Sequence, residues 1–367
     1  MDVTGAATVE HPPSPAPAPV PRVSVVAPCF NEADGLRAFY QRCTSACRVA
    51  VGESYEIVLV DDGSSDGTWP AIEALALADD HIVGLRLLRN HGHQLASTAG
   101  LAAATGQRIL LIDSDLQAPP ELLAEMMRLM DAGADVVYGL RTDRAGESWF
   151  KRASASGFYR MLSWLADAPI PRDAGDFRLM TRTVVDAFLL MPEHHRFIRG
   201  MVSWIGGRQV PQPYSRSERH AGVTKYPLGK MVRLAIDAVT SFSIRPLRVA
   251  PWTGIAFALL AMVIFAYTLV QWARDHVIDG WTSLMVATTL FSGVQLIVLG
   301  IFGEYLGRLV QEAKNRPLYL VADVRHGRRL HAVPAAFSSL PPSEQQALSL
   351  AWRDHGQSGS ASSVIGR

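Results

Sequence analysis

One stretch of the chain decides the fold: Arg108-Ile109-Leu110-Leu111-Ile112-Asp113-Ser114-Asp115-Leu116-Gln117-Ala118-Pro119-Pro120-Glu121. Its continuous apolar run predicts a strand over residues 108–112 that is buried on both faces of a parallel sheet. The Pro-Pro pair ends that strand and opens a helix. Alternate residues of an extended chain point to the same side, so Asp113 and Asp115 converge. Although a lone Asp-x-Asp is a weak motif, its place at a strand end favours a site for a hard divalent cation.

Apolar strands alternate with helix-length segments on both sides of this stretch. The predicted strands cover residues 22–28, 55–60, 82–88, 108–112 and 135–139. The predicted helices cover residues 34–51, 68–78, 94–105 and 120–132. This alternation predicts an α/β fold with a mostly parallel sheet and helices on both faces. Residues 1–21 are rich in Pro and Ala, which predicts a disordered leader.

Composition limits the functional classes. The chain has 367 residues, of which 49% are hydrophobic, a high share for a purely soluble protein. Its formal net charge of +1 lacks the electrostatic footprint of a nucleic-acid-binding protein. Cys29, Cys43 and Cys47 form no metal-ligand pattern, and we expect them in the core. The N-terminus has no basic segment before an apolar one, so we expect no cleavable signal and a cytoplasmic first domain.

Polar side chains are concentrated after the predicted strands, and in a parallel sheet these segments meet at one edge. They are residues 27–32, 61–68, 89–94, 113–117 and 140–141. Asp66-Gly67-Thr68 is equally well interpreted as a turn and helix start. We interpret His91 and His93 as structural. The Gly-x-Gly-x-x-Gly and Gly-x-x-x-x-Gly-Lys motifs are absent after the first strand, which argues against a dinucleotide cofactor and against P-loop ATP.

Three motifs carry a family resemblance: Pro28-x-x-Asn31-Glu32, Val60-Asp61-Asp62-Gly63-Ser64-Ser65-Asp66-Gly67-Thr68, and Asp113-Ser114-Asp115-Leu116-Gln117. Their order and spacing resemble the nucleotide-sugar-binding half of family 2 glycosyltransferases, which have the GT-A (Rossmann-like) fold. The resemblance implies a nucleotide-sugar donor site made of Pro28, Asn31, Glu32, Asp61, Asp62, Asp66, Asn90, Asp113 and Arg141. It also implies that Asp113, Asp115 and Gln117 hold Mg²⁺ or Mn²⁺ against the donor diphosphate.

A fourth motif lies further along, at Asp173-Ala174-Gly175-Asp176-Phe177-Arg178-Leu179-Met180. It resembles the Asp-x-Gly-Asp-Phe-Arg-Leu segment of bacterial polyprenyl-phosphate glycosyltransferases. The resemblance implies that Asp176 is catalytic, together with Asp115, and sits under the reacting carbon of the sugar near the acceptor phosphate. Alternatively, Asp176 is a capping or salt-bridged residue whose partner is Arg178.

A basic segment follows, Arg216-x-x-Arg219-x-x-Gly222-x-x-Lys225-Tyr226, and resembles the flexible loop of the dolichol-phosphate mannose synthase family. This implies that Arg216, Arg219 and Lys225 contact the donor and acceptor phosphates. Such cations are needed because a sugar diphosphate and a lipid phosphate bring several negative charges together. A positive-inside cluster beside a membrane is the other interpretation, and both can hold.

The last third of the chain predicts membrane attachment. Helical spacing of apolar residues over 228–248 predicts an interfacial amphipathic helix, with a buried domain helix as the alternative. The uncharged runs 249–273 and 280–303 are each long enough to cross a bilayer, and we expect a two-helix hairpin. Cations on its outer sides place the catalytic domain, 22–227, and the C-terminal segment, 304–367, in the cytoplasm of a multi-pass inner-membrane protein.

The segment that leaves the predicted hairpin carries a motif of its own. Gly303-Glu304-Tyr305-Leu306-Gly307-Arg308, followed by Glu312-x-Lys314-x-Arg316-Pro317-x-Tyr319, also resembles the bacterial polyprenyl-phosphate enzymes. Glycines on the paired membrane helices would permit a homo-oligomer.

These features predict a metal-dependent, inverting enzyme that moves one sugar from a nucleotide diphosphate sugar to undecaprenyl phosphate, with UDP-glucose as the first choice of donor and no nucleic-acid partner. One rival is a processive polysaccharide synthase, which would require a Gln-x-x-Arg-Trp motif and more membrane spans than the sequence contains. Another is a non-catalytic membrane scaffold that binds nucleotide sugars, which would have no reason to keep every acid in these loops.

Overall fold

A computed structural model describes residues 20–142 and 174–215, scattered positions between 254 and 274, and residues 281–314, 316–327 and 329–332. The strands are β1 (Val23–Cys29), β2 (Tyr55–Asp61), β3 (Ile82–Leu87), β4 (Arg108–Leu111), β5 (Val136–Arg141), β6 (Ala174–Thr181), β7 (Gln209–Tyr214), β8 (Val321–His326) and β9 (Arg329–Ala332). The helices are α1 (Ala33–Val51), α2 (Thr68–Ala78), α3 (His93–Ala103), α4 (Leu123–Asp131), α5 (Arg182–Leu189), α6 (Ile198–Ile205) and α7 (Trp281–Ala313), with a 3₁₀ turn at Pro120–Leu122.

All described strands belong to one sheet, in the order β7-β5-β6-β4-β1-β2-β3-β8-β9. Four neighbouring strands, β4-β1-β2-β3, are parallel, and Val23 of β1 pairs with Tyr55 of β2 on one side and with Arg108 of β4 on the other. Every residue of β1 and β2 is buried, and most of these residues are apolar, as is typical of the inner strands of a parallel sheet. The predicted α/β class is confirmed, and the elements predicted between residues 22 and 139 all occur, with bounds within three residues.

Helices cover both faces of the sheet. One apolar core packs α1, α2 and α4 against the sheet through residues such as Phe39, Ile72 and Met126. The other packs α3, α5 and α6 against the opposite face through residues such as Leu101, Phe188 and Met201. The three cysteines are buried and unpaired, as predicted.

Four strands, β6 to β9, were not predicted. Strand β6 lies antiparallel between β4 and β5, so the Asp176 motif is part of the centre of the sheet rather than a loop. Its strand pattern is hidden because two buried side chains, Asp176 and Arg178, are charged. Strand β8 follows α7 and pairs antiparallel with β3, Leu85 opposite Val324. Strands β8 and β9, which lie within the predicted C-terminal segment 304–367, therefore belong to the sheet of the catalytic domain.

Helix α7 has 33 residues, and its stretch Leu290–Val310 is long and apolar enough to cross a membrane, with none of that stretch buried. Among the described residues it is the one helix that meets this criterion. It coincides with the predicted span 280–303 but continues to Ala313. The other predicted span, 249–273, is described only at scattered positions, and the predicted interfacial helix at 228–248 lies outside the described residues.

Helix α3 approaches the sheet through Gly100, where an added Cβ would lie 2.4 Å from Val26 Cγ1 and 2.9 Å from Val60 Cγ2. We therefore expect Gly100→Ala to lower the free energy of unfolding by about 1–3 kcal/mol, because both neighbours are buried in well-packed strands. Gly35→Ala is the matched control on α1, because its Cβ would meet only Glu32 Oε2 at 3.8 Å. The control should be neutral or stabilising, since alanine favours helices. Denaturant unfolding of both variants tests this, and equal stabilities would contradict it.

Candidate active site

The loops after β1 and β2 interlock at the carboxyl edge of the sheet. Asn31 adopts a left-handed backbone conformation, φ 55°. Its N–H donates to Ser64 Oγ at 3.0 Å, and its Oδ1 accepts from the Ser65 N–H at 3.0 Å. The Glu32 N–H donates to Thr68 Oγ1 at 3.0 Å. The two loops predicted to hold the base and ribose thus form one surface, and Pro28 O joins it to the next loop by accepting from Ser114 Oγ at 3.0 Å.

Two of the predicted donor-site acids are engaged with backbone groups. Asp66 Oδ1 accepts from the Thr68 N–H at 2.9 Å and Asp66 Oδ2 from the Ala33 N–H at 3.3 Å, as the turn and helix-start interpretation requires. Asp62 Oδ1 accepts from the His91 N–H at 2.7 Å and Oδ2 from the Gly92 N–H at 2.9 Å. Burial raises the pKa of Asp62 in spite of these bonds. The Asp62 and Asp66 side chains therefore fix the conformation of the loops at the carboxyl edge of the sheet.

Asp61 and Asn90 lie where the second and third loops touch. Asp61 is fully buried, and its Oδ1 accepts from the Ser64 N–H at 3.1 Å while Oδ2 lies 3.9 Å from Arg86 Nε. Between them, Gly63 has φ 66°, and a Cβ there would come within 2.5 Å of the backbone nitrogen of Asn90. Only glycine permits this contact, which brings the third loop against the donor surface.

The Asp113-Ser114-Asp115 loop projects two carboxylates from β4. Asp115 Oδ1 accepts from the Gln117 N–H at 3.1 Å, across Leu116, whose φ is 60°. Burial raises the pKa of Asp113, and the negative charges of Asp176 and Asp115 add to that increase. Within the described ranges, no group of three or more His, Cys, Asp or Glu side chains forms a ready-made metal cage. An ion at this pair would have to take its other ligands from elsewhere.

Asp176 is 6% exposed and holds the shortest ion pair of the site. Arg199 Nε donates to Asp176 Oδ1 at 2.8 Å and Nη2 to Oδ2 at 3.3 Å. Gln94 Nε2 donates to Oδ2 at 3.4 Å. Burial would raise the pKa of Asp176, but the contacts with His93 and Arg199 outweigh it and hold that pKa well below its usual range.

The alternative interpretation, in which Arg178 is the salt-bridge partner of Asp176, does not match the contacts. Arg178 Nη2 donates instead to the Gly175 carbonyl at 3.0 Å, and the cation that pairs with Asp176 is Arg199 of α6. Arg178 is buried behind the acid, where its charge also lowers the pKa of Asp176. The nearest cation in sequence is therefore not the one that neutralises the carboxylate.

His93 lies between the two acids. Its Nε2 is 3.4 Å from Asp113 Oδ1 and 3.3 Å from Asp176 Oδ2. The structural interpretation fits His91, whose Nε2 accepts from the Leu320 N–H at 3.3 Å, but not His93. The sequence contains a signal for a place of His93 in the site, because His93 is the first residue of a helix that begins at the carboxyl edge of the sheet.

Arg141 is the last residue of β5. Its Nε donates to Tyr214 Oη at 3.2 Å, and its Nη2 would be 3.4 Å from a Cβ at Gly175. The side chain therefore lies over the start of β6, at Gly175. Gln117 is buried near the Asp115 loop. The predicted phosphate-binding residues Arg216, Arg219 and Lys225 lie outside the described residues, and their role stays a prediction.

Comparison with known proteins decides the family. Residues 24–189 match the model described as "Glycosyl transferase family 2", and residues 245–309 match "GtrB C-terminal hairpin". "Uncharacterized glycosyltransferase YkcC" of Bacillus subtilis is 44% identical, over 81% of this chain and 92% of its own length. The chain belongs to glycosyltransferase family 2. The predicted family is thus confirmed.

Two further family 2 relatives are named for their substrates. The SfII prophage-derived bactoprenol glucosyl transferase of Shigella flexneri is 38% identical, over 83% of this chain and 99% of its own length. The prophage bactoprenol glucosyl transferase homolog of Escherichia coli is also 38% identical, with the same coverage. This glycosyltransferase is an enzyme, which sets aside the non-catalytic scaffold.

The Asp176–Arg199 pair gives a prediction about stability. Arg199→Gln leaves a buried carboxylate without its bidentate partner and should lower the free energy of unfolding at pH 7 by about 1–3 kcal/mol. Because the pKa of Asp176 is lowered by folding, its stabilising contribution is present above the ordinary carboxyl pKa and lost as pH falls further. The difference between the two proteins should therefore shrink as pH falls below about 4.

Denaturant unfolding across this pH range tests the prediction. Arg128→Gln is the control, because Arg128 pairs with Glu125 on the exposed side of α4. Its loss should change stability by less than about 0.5 kcal/mol. A constant deficit of the Arg199 variant down to pH 3 would show that the Asp176 carboxylate is not the group concerned.

Proposed function

We propose that this family 2 enzyme transfers a single glucose from UDP-glucose to undecaprenyl phosphate, at the cytoplasmic face of the inner membrane and with inversion at the sugar carbon. The observation that carries the proposal is the acid cluster at the sheet edge, where His93 lies within 3.4 Å of both the Asp113 and Asp176 carboxylates. The donor diphosphate and the reacting sugar carbon fit beside these two groups. The names of the 38% identical bactoprenol glucosyl transferases support both the sugar and the acceptor.

The residues present fit a Mg²⁺ or Mn²⁺ ion. Asp113 and Asp115 offer the carboxylate oxygens that these ions prefer, and Gln117 is the third predicted ligand. Burial, and after it the charges of Asp176 and Asp115, raise the pKa of Asp113, and a cation beside this carboxylate would favour its ionised form. An ion held by these residues would neutralise the departing diphosphate as a Lewis acid. Pro28, Asn31, Glu32 and Asp61 lie on the adjoining loops, where the nucleotide would bind.

Asp176 orients the sugar rather than accepting a proton. Its lowered pKa and its bidentate contact with Arg199 make it a poor base and a rigid acceptor of hydrogen bonds. The acceptor phosphate oxygen is already anionic near neutral pH, so its attack needs no general base. Held in this way, Asp176 can accept hydrogen bonds from sugar hydroxyls as the acceptor oxygen approaches the opposite side of the anomeric carbon.

Membrane attachment completes the proposal. The match of residues 245–309 to a C-terminal hairpin supports two spans, the second of them in α7. Because β8 follows α7 and joins the catalytic sheet, the C-terminal end of the span lies on the side of the catalytic domain. Arg216, Arg219 and Lys225 would then lie between the sheet and the lipid phosphate. Association of the hairpins into a homo-oligomer remains part of the proposal.

The transfer reaction is tested with radiolabelled UDP-glucose and undecaprenyl phosphate in detergent. Asp176→Asn should reduce turnover by at least about a hundredfold while donor binding persists. The reason is that the variant loses the orientation of the sugar but keeps the contacts with the rest of the donor. Asp186→Asn is the matched control, since Asp186 pairs with Arg182 on the α5 surface. Unchanged turnover of the Asp176 variant would remove it from the site. Polymer as the product would favour a processive synthase, and no transfer from any donor would reject the proposal.

Metal dependence is tested separately. EDTA should abolish transfer, and added Mn²⁺ or Mg²⁺ should restore it. Asp115→Asn should raise the metal concentration for half-maximal rate by about tenfold or more, because the site loses a charged oxygen ligand. The Asp186→Asn control should keep the wild-type metal requirement. Full activity in EDTA would exclude a dissociable metal.

A further inference from the structure

The motif over residues 303–308 and 312–319, here called the exit motif, has no part in the proposed transfer chemistry. Glu312 lies two residues beyond the apolar stretch Leu290–Val310, at the point where the helix returns to the catalytic domain. Arg316 and Tyr319 follow on the connection to β8, and Tyr319 is buried in the core shared with α3 and α6. The motif is therefore packed onto the catalytic domain, although the sequence places it after a membrane helix.

Glu312 makes the most specific contact of this motif. Its Oε1 accepts from the His194 N–H at 2.8 Å, and its Oε2 lies 2.6 Å from His194 Nδ1. The other ring nitrogen, Nε2, lies 2.8 Å from the carbonyl oxygen of Arg316. Three contacts thus fix one histidine to the end of the helix, across 118 residues of sequence. Such a set holds the backbone of His194 as well as its ring.

His194 belongs to the short segment that leads into α6, and α6 begins with the residues that hold the acid. The Ile198 N–H donates to Gln94 Oε1 at 2.9 Å. The next residue, Arg199, pairs with Asp176, and Gln94 Nε2 donates to the same carboxylate. Only three residues separate His194 from Ile198, so the position of the one limits the position of the other.

The residue directly after the exit motif also contacts the loop after β3, which leads to His93 beside Asp176. The Leu88 N–H donates to the Leu320 carbonyl at 2.9 Å, and the Leu320 N–H donates to His91 Nε2 at 3.3 Å. His91 is two residues before His93, which contacts Asp176. Both segments that supply partners to Asp176 are thus tied to residues 312–320.

We infer that Glu312 and His194 are positioning residues for glycosyl transfer, which set the placement of Arg199, and through it of Asp176, from the end of the membrane helix. The inference rests on the proposed function and adds a role for the exit motif. Its physical basis is that the rate of a transfer reaction depends on the placement of the reacting groups to within a fraction of an ångström. Neither residue touches the donor or acceptor in this account.

Three variants test the inference in the full-length enzyme: Glu312→Ala, His194→Ala and the double variant. Glu53→Ala is the matched control, because Glu53 Oε2 faces a histidine, His81 Nε2, at 3.4 Å but lies at the opposite end of the sheet. We measure kcat and KM for UDP-glucose, and the stoichiometry of UDP-glucose binding by calorimetry. The stoichiometry reports the fraction of folded enzyme independently of turnover.

Each single variant should lower kcat by about ten- to a hundredfold, with the donor KM and binding stoichiometry within about twofold of wild type. The double variant should be no worse than the single variants, because both remove the same link. The control should keep wild-type kcat. Wild-type kcat in Glu312→Ala, or a stoichiometry that falls in parallel with kcat, would overturn the positioning role.

If the wild-type enzyme transfers no sugar from UDP-glucose, the proposed function is rejected but the positioning role is not. Amide hydrogen exchange tests the positioning role in that case. Exchange over residues 196–202 should be faster in Glu312→Ala than in Glu53→Ala, while exchange over the core strand β1 stays equal. Equal exchange over 196–202 in both variants would show that the helix end does not hold α6, and would overturn the inference.

Discussion

A buried negative charge beside other negative charges is the constraint on which the site depends. Asp176 is in the centre of the sheet and almost inaccessible, and an isolated carboxylate there would take up a proton rather than stay ionised. It stays ionised because Arg199, His93 and Gln94 converge on it from α6 and α3. The helix layer on this face of the sheet thus supplies the charges that the acid needs, besides covering apolar strands.

This dependence explains which parts could be predicted from sequence. Strands β1 to β5 and helices α1 to α4 follow from local apolar patterns, and these patterns also locate the acids at or just after the ends of β1, β2 and β4. Strand β6 could not be found in this way, because Asp176 and Arg178 interrupt its apolar run. The pairing of Asp176 with Arg199, rather than Arg178, depends on the packing of α6 against β6, which no local pattern contains.

Strands β8 and β9 show the same limit at the edge of the sheet. Strand β8 is short and carries Asp323 and Arg325, which pair with Arg86 and Glu73 rather than facing water alone. Its charges look like those of an exposed tail in sequence, but in the structure they cover the free edge of β3. A contact across more than 200 residues has no local signal, so the continuation of the catalytic domain after α7 was missed.

The return of the chain after α7 also bears on how a lipid acceptor could reach the acids. Val321 of β8 follows Ala313 by eight residues, so the end of the helix lies within about 28 Å of the sheet edge. The contact between Glu312 and His194 brings it closer, to the segment that leads into Arg199. In the proposed reaction the lipid phosphate stays near the membrane surface while the sugar must reach it. A site anchored to the end of the span meets that requirement without a large movement of the catalytic domain.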